Sequence, residues 1–263
     1  MSGTPTSNTL ASIDFLKHVA LSFQETALEG LGDDDAPPLP TYETDSQQAV
    51  TVGSQLSEFS KAVPGALRPQ IDKGFLMAQL AANAQIEEHG GDAVAWYDKY
   101  VEVLYHIGWV ADSKSDLLRN VAGASLEVHK QIIPLLTSAL GPVAAAASVV
   151  LHALDGLAAM DSNQSWITLF DRESQRASAN QFQVSYVDVD DETRPALTLA
   201  TFVLDASRSV TRVLFFRFSN TSAKLLHSET KMSLNQMVFN KSSPIVSDRL
   251  SSRTVGYLTD LRL

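Results

Sequence analysis

The chain has no cysteine among its 263 residues. That excludes disulfides, thiolate nucleophiles, cysteine-bound zinc and iron–sulfur clusters. Phosphate-cradling glycine loops are missing too, since neither a Walker sequence nor G-x-G-x-x-G occurs. The six histidines are dispersed, with no H-E-x-x-H and no pair at ligand spacing on one helix. No G-x-S-x-G occurs either; Gly123-Ala-Ser125-Leu-Glu127 lacks the second glycine that lets a nucleophile elbow turn. The residues therefore lead us to expect no catalytic residue, no cofactor and no metal site, and a non-enzymatic protein.

Positive charge is scarce where it would matter most. The net charge is −10, and residues 1–160 hold 19 acidic and 8 basic side chains. Residues 161–263 hold 11 acidic and 12 basic. An acidic half that lacks a basic face excludes nucleic acid as a partner, because that binding rests on phosphate neutralisation. The first residues, MSGTPTSNTLASIDF, lack the basic start and apolar run of a signal peptide. A cytoplasmic location, or export by a route without a cleaved signal peptide, is the expectation.

Hydrophobic residues at 44% and charged residues at 19% leave ample material for a core. The most unusual stretch is Gln131 to Leu154, QIIPLLTSALGPVAAAASVVLHAL, which contains no Asp, Glu, Lys or Arg. Crossing a bilayer takes roughly 20 apolar residues. Gly141-Pro142 divides the stretch, because a residue before proline leaves the α region and glycine favours a helix stop. The reading is a helical hairpin turning there, with Pro142 at a first helical position. Pro134 should kink the first leg, with Thr137 or Ser138 satisfying the loosened backbone. A helix apolar on most sides is usually core. The alternative is a shielded segment that meets lipid, and its candidate residues are Leu140, Gly141, Pro142, Val143, Ala145 and Val150.

The rest of the first half reads as helices over residues 9–31, 46–63, 69–89, 92–109 and from about Ser113 into the hairpin, by apolar spacing of three and four. Asp92 is the expected cap of the fourth. An acidic, proline-containing linker, residues 32–45, separates the first two. Trp96 and Tyr100 on the fourth helix are candidate pocket aromatics for a sugar or lipid, with plain core packing as the blander account. His129 and His152 lie at comparable distances from Gly141-Pro142. They form a candidate pH-sensing pair, against the plainer view of two unrelated histidines.

After Asp161 the apolar period shortens to two. Strands are expected at residues 165–170, 181–190, 196–204, 211–218, 224–229 and 232–239, then a short helix from Ser243 and a strand at 253–258. The expected architecture is α+β: an N-terminal helical bundle over residues 1–160, followed by a C-terminal antiparallel β-sheet or sandwich over 161–263 that shares a core with it. Two functions fit. The first is contact with lipid, an acyl chain or a membrane through the shielded hairpin, as in a toxin or virulence factor. The second is a protein–protein interaction or assembly module using the β-rich half, with Arg208, Arg212 and Arg217 beside Leu214, Phe215 and Phe216. An enzyme whose site is assembled from distant residues comes third.

Overall fold

The computed structural model describes residues 7–23, 39–114, 119–120, 127–176, 180–206, 210, 212–216, 223–250 and 256–261. The fold is mixed α+β, with helices and strands interleaved along the chain. It runs α1 (Ser7–His18), β1 (Gln48–Val52), β2 (Gln55–Phe59), α2 (Arg68–His89), α3 (Ala93–Ile107), β3 (Trp109–Lys114) and β4 (Arg119–Asn120). Then come α4 (Val128–Ala147), α5 (Val149–Gly156), a single 3-10 turn (Leu157–Ala159), α6 (Ser165–Arg176), β5 (Gln181–Val189) and β6 (Pro195–Ala206). The last elements are β7 (Ala223–Leu234), α7 (Gln236–Leu250) and β8 (Leu258–Asp260).

All eight strands form one sheet, ordered β3-β7-β6-β5-β2-β1-β8, with β4 also pairing β7. Every pair is antiparallel except β2 with β5, which is parallel and places Leu56 beside Val184 and Glu58 beside Tyr186. That parallel join requires a crossover, which the chain supplies in the long excursion through α2 to α6. Helices cover both faces, so residues of both phases in β1, β2 and β5 are buried. On one face α1, α2, α3 and α7 pack over Val50, Phe59, Val187, Leu199 and Leu234. On the other, α4, α5 and α6 pack over Leu56, Phe182, Val184, Ala200 and Phe202. Each cluster draws on residues both before and after Asp161.

This interleaving corrects the expected order of an N-terminal bundle followed by a C-terminal sheet. Residues 46–63 are the hairpin β1–β2, not a helix. Gly53, at φ +55, makes the two-residue turn; because the strands are buried on both faces, Val52, Leu56 and Phe59 lack a period of two and fall at helix-like spacing. A Cβ on Gly53 would lie 2.6 Å from the Gln79 Oε1 that holds the turn. Residues 165–170 open the helix α6, not a strand. Trp166, Ile167 and Phe170 share its buried face with Ser174. The expected pair of strands at 224–239 is one long strand, β7, followed directly by α7. Val213 to Phe215 form a turn where a strand was expected, and residues 19–23 follow α1 without helix. The acidic stretch over residues 32–38 lies outside the described residues.

The helix expected from about Ser113 begins only at Val128, since residues up to Lys114 form β3, paired with β7. Other local expectations match the structure. Asp92 caps α3 by accepting from the Val94 and Ala95 amides, and α2 begins beside Pro69. Gly108 ends α3 at φ +126, and its amide donates to Leu104 and Tyr105. An added Cβ there would lie 3.0 Å from the Phe239 nitrogen and 3.1 Å from the Asn235 oxygen, at the start of α7. Gly108→Ala should therefore cost about 2 kcal/mol, through both the disfavoured φ and the backbone clash. Urea unfolding of the variant checks this, and an unchanged midpoint would refute the close abutment of α3 on α7.

Candidate functional site

The charge-free stretch forms α4 and α5, but its bends are not those of a simple hairpin. Gly141 is non-helical, at φ 76 and ψ 168, so α4 is two helical pieces joined at a kink, with Pro142 opening the second. A second bend, of 96°, falls at Ser148 between α4 and α5. Pro134 stands inside the first piece, and Thr137 Oγ1 donates to the Ile133 carbonyl one turn back. Among the described residues no single helix is long and apolar enough to cross a membrane; α4 and α5 together are, by length and composition.

The two ends of the stretch are buried and its middle is not. Ile132, Leu136 and Ala139 on α4, and Val150, Leu151, Ala153 and Leu154 on α5, pack on the sheet. Between them the chain turns outward. Val143 is 85% exposed, and Pro142, Ala146 and Ala147 are exposed beside it. Leu140 and Ala145 are half-buried against the core, Gly141 is half-buried, and Val150 is 1% exposed. Of the candidate lipid-contact residues, then, Pro142 and Val143 face solvent and Val150 belongs to the packed layer.

What fixes the second bend is a residue the sequence reading did not single out. Glu58, in the middle of β2, is 1% exposed and points at the break between α4 and α5. Its carboxylate accepts from Ser148 Oγ (2.6 Å), the Val149 amide (2.7 Å) and the Val150 amide (3.2 Å). Gln47 Nε2 donates to it from the strand side at 2.6 Å. Ser148 is also the N-cap of α5, accepting from the Leu151 amide. A carboxylate at a helix N-terminus meets unpaired amides and the positive end of the helix dipole. Burial pushes the Glu58 carboxyl up, while the four hydrogen bonds pull it back down. Leu136, Ala139, Leu140, Val150, Leu151, Val184 and Ala200 line the same cleft. The sequence did hold a signal: a lone acidic residue between Leu56 and Phe59. Reading residues 46–63 as a helix put it on a solvent face.

The two candidate histidines have different surroundings. His129 is buried at the start of α4, where Nδ1 lies 2.9 Å from the Leu214 carbonyl and the ring meets Phe215 edge-on. Its Nε2 is 3.9 Å from the Glu127 carboxylate. His152 is exposed on α5. Trp96 and Tyr100 are buried under the opposite face of the sheet, stacked with centroids 5.2 Å apart. Their polar ends are held: Trp96 Nε1 donates to Asn83, and Tyr100 donates to Gln55, which in turn donates to Ser185. Arg212 lies over Phe215 and donates to Ser162 and Asn163; Arg208 and Arg217 lie outside the described residues.

No family model matches the chain, and no curated protein sequence matches it. Among solved structures, the Evf virulence factor is similar over 92% of this chain and 90% of that one, at 11% identity and a TM-score of 0.38. A delta-endotoxin is similar over 65% of this chain and 79% of that one, at 12% identity and a TM-score of 0.28. Both scores lie below 0.5, and neither likeness bears on the chemistry of the site.

Proposed function

We propose that the protein contacts lipid through the outward turn of its charge-free segment, in a non-enzymatic, toxin-like role. The observation that carries this reading is the exposure of Pro142, Val143, Ala146 and Ala147 in a stretch without one charged side chain. Soluble surfaces place apolar residues singly without consequence, whereas contiguous apolar exposure marks an interaction site. Small side chains and a glycine kink let such a turn enter the interfacial region of a bilayer with little displacement of lipid. The net charge of −10 opposes approach to anionic lipid and favours a neutral surface.

Flotation with phosphatidylcholine vesicles at pH 7 and pH 5 tests the reading. The wild-type chain should float with the vesicles. Val143→Asp should abolish this while leaving the fold intact, because the new charge stays in water in the free protein and must be desolvated only at the membrane. A chain that floats at neither pH removes the lipid reading.

A further inference from the structure

We propose that Glu58 is a latch that decides whether α5 and the end of α4 stay docked on the sheet, and so regulates the lipid contact proposed above. The membrane consequence rests on that lipid reading, while the docking itself does not. Among the described residues, every hydrogen bond from residues 141–160 to the sheet ends on Glu58. The rest of this segment joins the core by apolar packing, chiefly of Val150, Leu151, Ala153, Leu154 and Leu157. Apolar packing is non-directional and tolerates displacement. The carboxylate instead requires three donors from consecutive residues, Ser148, Val149 and Val150, to be aligned at once.

The surroundings make this arrangement all-or-none. Glu58 is the one charged side chain among the residues lining its cleft, which are otherwise apolar or carry a hydroxyl. Docked, the carboxylate has four donors; with the segment lifted away, water replaces the three that leave. A half-lifted segment would strand a buried carboxylate with Gln47 as its remaining donor, the costliest of the three situations. An apolar residue in its place would let the segment adhere in many positions. The segment held in this way begins directly after the exposed turn at Pro142–Ala147. Releasing the latch therefore frees the charge-free stretch from its second anchored end and adds Val150, Leu151 and Leu154 to the apolar surface on offer.

Hydrogen exchange on the full chain, with flotation on phosphatidylcholine vesicles, tests the latch in the wild type, Glu58→Gln and Ser148→Ala. Glutamine keeps the shape but turns an amide N–H₂ toward donors. The Val149 and Val150 amides should exchange about tenfold faster or more, as expected for losing hydrogen bonds to a charged group. Amides within Arg68–His89 on the opposite face should keep their rates, and flotation should rise several-fold. Unchanged exchange at Val149 and Val150 overturns the proposal. So does a uniform acceleration that includes Arg68–His89, because Glu58 would then serve only global stability. Local acceleration without a gain in flotation leaves the latch standing and removes the lipid reading. Should Glu58→Gln fail to fold, Ser148→Ala deletes one donor from the segment's own side and is read in the same way.

Discussion

Val150→Asp should leave almost no folded protein. Val150 sits on the first turn of α5, 1% exposed, among Leu136, Leu151 and Val184. Its own amide donates to Glu58 Oε2 at 3.2 Å. The new carboxylate would therefore enter a cleft that already holds one buried carboxylate, to which Ser148, Val149 and Val150 already donate. A buried, unpaired charge costs about 3–5 kcal/mol, and the like charge beside it adds to this. That approaches the whole stability of an ordinary domain, roughly 5–15 kcal/mol. Near-ultraviolet circular dichroism and the soluble yield measure the outcome. Val150→Ala is the control; it removes packing alone and should fold, with a lowered urea midpoint. A folded Val150→Asp with a near-native midpoint would mean that α5 is not packed on the sheet.

Stability should rise as the pH falls from 8 toward 5, against the usual behaviour of carboxylate-rich proteins. Asp72 on α2 is fully buried, and burial pushes its carboxyl up to about 7, while Ser57, Tyr42 and Arg68 pull it back. Asp171 on α6 is pushed up to about 6, again by burial, against the Val213 amide and Arg212. Glu58 is raised for the same reason. In each case the folded chain holds the proton more tightly than the unfolded chain, whose carboxyls titrate near 4. At these three carboxyls the unfolded state binds fewer protons across this window, so their contribution falls as the pH rises; His106, lowered by burial, is a single group working against them. Relief begins as the pH drops through 7 at Asp72 and through 6 at Asp171, and it is complete near the unfolded values. Asp72 alone accounts for roughly 4 kcal/mol of this trend at most.

Asp190 works in the opposite sense. Its carboxyl is held down by the Arg194 backbone amide, so any contribution it makes is lost only below the ordinary carboxylate range. Urea midpoints at pH 5, 6, 7 and 8 measure the trend. Asp72→Asn should flatten it, since the amide keeps an acceptor for the Tyr42 hydroxyl, 2.7 Å away in the wild type, without the titration. A wild-type midpoint that falls from pH 8 to pH 5 would contradict the account. A gain in vesicle binding at pH 5 would therefore come from neutralised surface charge or from protonation of Glu58, whose donors on α5 favour the charged form, and not from loss of the global fold.

The sequence by itself determined the parts whose signal is local. Apolar spacing and caps gave α2 and α3, with Asp92 and Pro69 in the expected places. Alternation gave β5, where Phe182, Val184 and Tyr186 face α4 to α6 and Gln183 and Ser185 face the opposite layer. The charge-free stretch and its Gly141 kink were legible because no neighbour is needed to count charges or to read a glycine before a proline. Only the tertiary structure decided what segments of ambiguous period became. Residues 48–59 fit a helix or a hairpin equally, until strand pairing with β5 and β8 offered the backbone partners that a lone helix would not need. Residues 165–170 were equally ambiguous, and became a helix because that geometry buries Trp166, Ile167 and Phe170 on one face. Glu58 was illegible for a deeper reason. A buried carboxylate is stable only where donors converge, and its donors come from residues 47, 148, 149 and 150, brought together by the fold.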